Sequence, residues 1–364
     1  MKKNAFSREV QPNWQGLYDC VLRKGTPDRV YNAELLLDTE VQEAVCERFG
    51  LLKGIEKTDP HYDLHMHMAV QRFLGYDYVR VGLLGADLQL SFISTKDTAD
   101  LARKGGRRDF IDEHKGPIGS WDDFNAYPWP DVEKASTEAL EWYSENLPEG
   151  MCIIGGGGFA HSAEHLTMLF GYEKLCFALF DQRDLVKAVA DRLLDMYRTM
   201  LKKILEFERV KFVWGSDDMG FRSGTLISPD DLREFALPGH KLMAQMSHNA
   251  GRPYLLHSCG NLGDIMEDLI EDVEIDAKHS FEDTIEDVRD AKKKYGNRIA
   301  LFGGIDVDFL CRSDEQQIRE RVRDTLDKCM PGGGYCLGTG NSVANYIPLD
   351  NYLAMLDEGR NYAS

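Results

Sequence analysis

Hydrophobic positions along the chain fall into two alternating rhythms. Short apolar runs recur, and each closes on glycine or a polar cluster: Asp77–Leu84 before Gly85, Cys152–Ile154 before Gly155–Gly158, and Lys211–Trp214 before Gly215-Ser216-Asp217-Asp218. Further along come Arg252–Cys259 before Gly260, Ile275–Ser280, Arg298–Phe302 before Gly303-Gly304-Ile305-Asp306, and Gly334–Leu337 before Gly338-Thr339-Gly340-Asn341. Runs of that length closed by glycine predict buried strands entering loops. Between them, apolar residues spaced three and four apart predict helices over Ala33–Gly50, Ala160–Gly171, Gln182–Arg209, Asp264–Glu271, Asp283–Tyr295 and Pro348–Glu358. Ser228-Pro229 reads as an N-cap followed by proline at the first helical position, and Ser313 with Gln316 as a capping box for a helix to Cys329.

Strand–helix alternation from about residue 150 onward predicts a parallel sheet with helical crossovers. Adding strands near Arg29–Asn32 and Asp77–Leu84 brings the count to eight, which predicts a (β/α)8 TIM barrel spanning residues 1–364 as one domain. A polar helical extension precedes it, and an insertion around 85–150 is the natural place for a cover over a site. An open doubly wound sheet is the alternative, but no glycine fingerprint opens the first unit. Barrel chemistry collects where strands end. Here those ends carry Asp217 and Asp218, His257 and Cys259, His279, Asp306, Cys336 and Asn341.

Composition narrows the partners. A net charge of -18 argues against nucleic acid and anionic membranes, which need basic patches. No stretch reaches the length of an apolar membrane span, and MKKNAFSREVQPNWQG does not read as a signal peptide. The eight cysteines are scattered, as expected of reduced thiols in a cytoplasmic protein.

The sharpest constellation is His257-Ser258-Cys259. Residues i and i+2 of a strand face the same way, so an imidazole and a thiol project together, a donor pair suited to zinc. A structural Cys and a hydrogen-bonded core His are the plainer reading. Cys336 is the natural candidate for a third ligand, leaving an open coordination position. Asp217 and Asp218 suit general-base work, a cationic ligand or metal support, or else capping of the following turn. The Gly155–Gly158 run permits close backbone approach to an anion but lacks nucleotide-binding spacing. His65 and His67 read as one face of a strand, lining a pocket or simply polar. His161 and His165 with Glu164 between them read as surface residues at a helix start.

Several segments in order resemble the uroporphyrinogen decarboxylase superfamily: SWDDFNAYPWPD, GSDDMGFRSGTLISPDDLREFALPGHK, LLHSCGN, FGGIDV and GGYCLGTGNSVANYIPLDNYLAM. The resemblance implies a (β/α)8 barrel with its pocket at the carboxyl-end mouth. The R-Q-A-G-R-Y motif of true decarboxylases is missing, and with it the arginines that bind substrate carboxylates. The chain is more similar to the methylcobamide:thiol methyltransferase branch, which implies zinc at His257 and Cys259 and a corrinoid carried by a partner protein. In that branch the later cysteine falls where this chain has Asn341, with Cys336 five residues earlier. The implied reaction moves a methyl group between corrinoid and a small acceptor such as a thiol or folate. Asp217 or Asp218 would manage protons, and Asn341, Tyr346, His279 and Asp306 would line the substrate pocket. Two rivals stand beside this reading: a metal-free carboxy-lyase using Asp218 as counter-charge, and a non-catalytic ligand-binding barrel.

Overall fold

A computed structural model describes residues 6–99, 101, 103, 105–112, 114–157 and 159–362. In chain order its strands are β1 (Tyr78–Val81), β2 (Phe92–Lys96), β3 (Arg107–Ile111), β4 (Cys152–Gly156), β5 (Val210–Ser216) and β6 (Gly220–Phe221). Then come β7 (Gly224–Thr225), β8 (Tyr254–His257), β9 (Ala277–His279), β10 (Ala300–Phe302) and β11 (Tyr335–Cys336). Seven of them form one parallel sheet in the order β1-β4-β5-β8-β9-β10-β11, so every neighbour follows in sequence and helices cover the outside. The long helix Arg183–Leu205 shows how: Leu185, Val189, Leu193, Met196, Met200 and Ile204 recur along one buried stripe. The fold is α/β with a curled parallel sheet.

The sheet is not a continuous eight-stranded barrel. An eighth segment does lie against β11, where Asn32 and Leu337 form a parallel bridge, Ala33 N–H donates to the Leu337 carbonyl (2.9 Å) and Leu337 N–H donates to the Tyr31 carbonyl (2.8 Å). On its other side no ladder joins it to β1 among the described residues. The Tyr78 hydroxyl instead accepts from Glu34 N–H (2.9 Å) and donates to the Glu34 carbonyl (3.0 Å). A phenol thus takes the backbone groups that pairing would have used. Inside the sheet, Trp214 is the central side chain, meeting Tyr78, His279 and Phe302 at ring-centroid distances of 6.4, 5.8 and 5.5 Å.

Elsewhere the elements follow the sequence pattern with local differences. The N-terminal extension forms the helix Trp14–Val21, capped by the Asn13 side chain. Within 85–150, β2 and β3 pair into an antiparallel hairpin whose Phe92, Ile93 and Phe110 are exposed. His65 and His67 lie on the helix Tyr62–Leu74 rather than on a strand, because Met66, Val70 and Leu74 form a buried stripe at helical spacing. The capping box sits one residue later than expected, between Asp314 and Gln317, whereas Ser228 caps its helix as the sequence implies. The predicted helix Asp264–Glu271 is a turn leading into a π-helical segment, Asp268–Asp272. Gly158 of the glycine run lies outside the described residues. Among those described, no helix is long and apolar enough to cross a membrane.

Candidate metal site at the carboxyl edge of the sheet

β8 delivers the site. Leu255 and His257 share a face, and pairing of Ser216 with His257 sets the tip of β5 beside the tip of β8. Asp217 and Asp218, which follow β5, therefore arrive next to His257. Beyond the strand the chain is held by its backbone: Ser258 N–H donates to the His279 carbonyl (2.7 Å) and Asn261 N–H to the Phe221 carbonyl (2.8 Å). Gly260 has φ +81° and presses on Gly220 so closely that a Cβ would lie 2.1 Å from the Gly220 carbonyl carbon. Only glycine fits there.

That loop turns the Cys259 sulfur back toward its own strand, 3.3 Å from His257 Nε2. Asn341 Nδ2 donates to the same sulfur from the opposite loop at 3.3 Å, and Asp218 Oδ1 lies 3.9 Å from His257 Nε2. Among the described residues, Asp218, His257 and Cys259 are the group of potential donors whose ligand atoms all fall within 4.8 Å of one another. Around a tetrahedral zinc, nitrogen, oxygen and sulfur donors stand about 3.4–3.6 Å apart, so these three fit a cation with small adjustments. Behind them, His279 Nδ1 meets His257 Nδ1 at 2.7 Å, which fixes the ring and leaves Nε2 facing the thiol.

The electrostatics suit a dication. Burial holds His257 well below the usual histidine range and His279 at about 3, so both rings are neutral, the form that ligates. Burial first, and then the charge of Glu164, raise Asp218 to about 6. The Cys259 thiol is pushed far up by burial and by the neighbouring Asp218. A bound cation would reverse the terms that disfavour the anions.

Asp217 has another task. It is fully buried, its carboxylate accepts Ala163 N–H (2.9 Å) and Glu164 N–H (2.8 Å), and His240 Nε2 lies 2.8 Å away with His240 Nδ1 against the Tyr254 hydroxyl. It thus anchors the N-terminus of the helix Ser162–Phe170 rather than facing the mouth. Cys336 is also elsewhere: it ends β11, buried against Cys20 of the first helix, whose sulfur donates to the Tyr335 carbonyl at 3.3 Å. The geometric third donor is Asp218, and Asn341 approaches with its amide.

Asn341, Tyr346 and Asp306 line one open cavity of about 870 Å³, together with Leu36, Arg108 and Glu282. Asp306 spends its carboxylate capping Phe309 N–H and Asp283 N–H, both at 3.0 Å. His279 stands behind His257 rather than on the cavity wall. His161 and Glu164, read as surface, are half-buried and pair with one another close enough to Asp218 for Glu164 to act on it.

Two residues escaped the sequence reading. Glu34 is buried at the open seam, where its carboxylate meets Thr339 N–H and the Thr339 hydroxyl, both at 2.7 Å. The same hydroxyl lies 3.0 Å from the Asn341 carbonyl, so Glu34 positions the Asn341 loop. Arg80 lies within an apolar strand, and a lone cation in such a run was the available signal.

The family model for uroporphyrinogen decarboxylase (URO-D) matches residues 113–362. The methylated-thiol–coenzyme M methyltransferase of Methanosarcina mazei is 32% identical over 133 residues, 36% of this chain and 33% of the relative. The uroporphyrinogen decarboxylase of Trichodesmium erythraeum is 30% identical over 131 residues, 34% of each chain. The match thus spans about a third of the length of these curated relatives. A solved structure described as a methyltransferase from Methanosarcina mazei superimposes with a TM-score of 0.66, covering 94% of this chain and 97% of the other at 18% identity. That last likeness is one of fold.

Proposed function

Since this chain belongs to the uroporphyrinogen decarboxylase family, we propose that it is a zinc-assisted methyltransferase, moving a methyl group between a corrinoid on a partner protein and a small acceptor such as a thiol or folate. The observation that carries this reading is the convergence of His257, Cys259 and Asp218 at one mouth. The methylated-thiol methyltransferase among the relatives supports it.

Zinc at this place would act as a Lewis acid, favouring the deprotonated, nucleophilic form of an acceptor thiol. His257 Nε2, the Cys259 thiolate and the Asp218 carboxylate would hold it, leaving one position for the acceptor. His279 keeps the His257 ring turned and neutral. The Asn341 amide donates to the Cys259 sulfur, which tempers its charge without adding a second thiolate. The acceptor would approach through the cavity that Asn341 and Tyr346 line. The exposed apolar hairpin of β2 and β3 offers Phe92, Ile93 and Phe110 to a protein partner.

A carboxy-lyase without metal is the rival, with Asp218 raised to about 6 and free of any cationic partner among the described residues. Metal analysis decides between them. The purified chain is expected to bind one zinc or cobalt(II), and His257→Ala to lose it. Demethylation of a methylated corrinoid in the presence of a thiol, followed by its absorbance, then tests the transfer. A chain that takes up no metal, or that decarboxylates a tetrapyrrole or smaller acid without one, overturns the proposal.

A further inference from the structure

We propose that Lys278 is the reactive amine of a second site, on the outer side of the sheet, which takes up a small neutral aldehyde as an imine. This site is separate from the mouth that holds His257 and Cys259, and it does not depend on the methyl-transfer reading.

β9 carries Lys278 between Ala277 and His279. His279 turns inward to Trp214 and His257, so Lys278 faces the other way, into the layer between sheet and helices. Its partners on the flanking strands, Leu256 and Leu301, are apolar and buried. Lys278 itself is 4% exposed. It lines a cavity of about 160 Å³, roughly ten times the space that one water needs. Leu262, Met266, Phe281 and Ile285 give that cavity an apolar wall, and Glu282 and Glu286 give it two carboxyl groups. Its rim reaches solvent at Gly263 and Lys294.

The amine is under-used. Nζ donates to the Ser280 carbonyl at 2.6 Å and lies 4.3 Å from the ring centre of Phe281, both parts of the same cavity wall. Among the described residues it forms no ion pair, although a lysine so far from water ordinarily has one. Glu286 is taken instead by Lys294, whose Nζ lies 2.6 Å from Oε1. The two amines of one cavity are therefore in opposite states. Burial pulls Lys278 down to about 8, and Glu286 restores only part of the loss, whereas its hydrogen bond to Glu286 raises Lys294. Desolvation without a paired counter-charge is what makes a lysine nucleophilic near neutrality.

The neutral amine adds to the carbonyl carbon, and the oxygen takes up a proton to give a carbinolamine. Loss of that oxygen as water leaves the C=N bond. One aldehyde and one amine thus give one imine and one water, with no change of oxidation level. Glu282 and Glu286 on the wall are carboxyl groups of the kind that hand over and recover such protons. They also favour the positive charge of the protonated imine and disfavour an anionic carbonyl compound such as a 2-oxo acid. The apolar wall suits a short alkyl chain, and the limited room excludes a branched one.

Reductive trapping tests this on the unmodified full-length protein. Propionaldehyde, bulky trimethylacetaldehyde and anionic glyoxylate are each added near neutral pH with cyanoborohydride, which delivers hydride to the imine carbon and fixes it as a secondary amine. Peptide mass mapping then gives the labelling rate of Lys278 relative to Lys294. With propionaldehyde, Lys278 is expected to react about tenfold faster or more, since far more of it is unprotonated. The preference is expected to vanish for trimethylacetaldehyde and glyoxylate, and for propionaldehyde in urea. Labelling of Lys278 no faster than Lys294 in the folded protein overturns the proposal. A preference that survives with the bulky or the anionic aldehyde, or in urea, overturns it too, because the amine would then be reactive without a cavity that selects.

Discussion

Replacing Glu34 by Gln is expected to flatten the pH dependence of stability between about 5 and 8. Burial, with no cation to offset it, raises this carboxyl from 4.5 to about 8. The geometry agrees: the Thr339 hydroxyl has one proton and two neighbouring acceptors, Glu34 Oε2 at 2.7 Å and the Asn341 carbonyl at 3.0 Å. Both contacts are hydrogen bonds only if Glu34 supplies a proton of its own. The folded state therefore holds this proton more tightly than the unfolded chain does. The associated stability is complete below the unfolded value, declines as pH rises, and is gone above about 8. At about 1.4 kcal/mol per pH unit, the interval gives an upper bound of about 4–5 kcal/mol. Glutamine reproduces the protonated carboxyl, accepting from Thr339 N–H and donating to its hydroxyl, but cannot ionise. Urea unfolding of both proteins from pH 5 to 9 measures the effect: the two should be close at pH 5, and the variant more stable at pH 9 by several kcal/mol, within the bound above. Parallel curves for wild type and variant would refute the reasoning, because they would mean that Glu34 is ionised throughout or reaches water.

Asp217→Ala strips two helix N–H groups and His240 of their acceptor in a fully buried place, so a loss of about 3 kcal/mol or more is expected in urea unfolding. The folded variant should keep its metal affinity within a few-fold; a stable variant that cannot bind metal would show that Asp217 belongs to the site. Asn341→Cys puts a thiol on the residue whose Nδ2 lies 3.3 Å from the Cys259 sulfur, and is expected to tighten zinc by about tenfold or more in chelator competition. Unchanged affinity would mean that residue 341 does not face the cation.

The sheet was legible because its strands are covered on both faces and so read as unbroken apolar runs ending in glycine. Their limits were not, since β9, β10 and β11 keep only two or three residues in ladder. His65-Met66-His67 misled because its alternation imitates a strand, while the burial of Met66, Val70 and Leu74 follows the helical turn. In the candidate site, strand periodicity pairs His257 with Cys259 in the sequence, although β8 ends at His257 and the following loop brings the Cys259 sulfur back to it. The third donor did not: choosing Asp218 over Cys336 requires knowing that β5 lies beside β8 and that Cys336 faces the first helix. Asp217 and Asp218 look equivalent in sequence, and only the arrival of the helix Ser162–Phe170 divides their work.

The phenol that closes the gap between the first extended segment and β1 has a mechanical consequence. Parting the molecule there severs two hydrogen bonds at Glu34, whereas parting β4 from β5 tears a run of paired peptides. Hydration would enter at this line first, and an ionised Glu34 would then resist resealing. Alkali would wedge the rift and acid would heal it, with the Glu34 amide exchanging ahead of those paired within the wall.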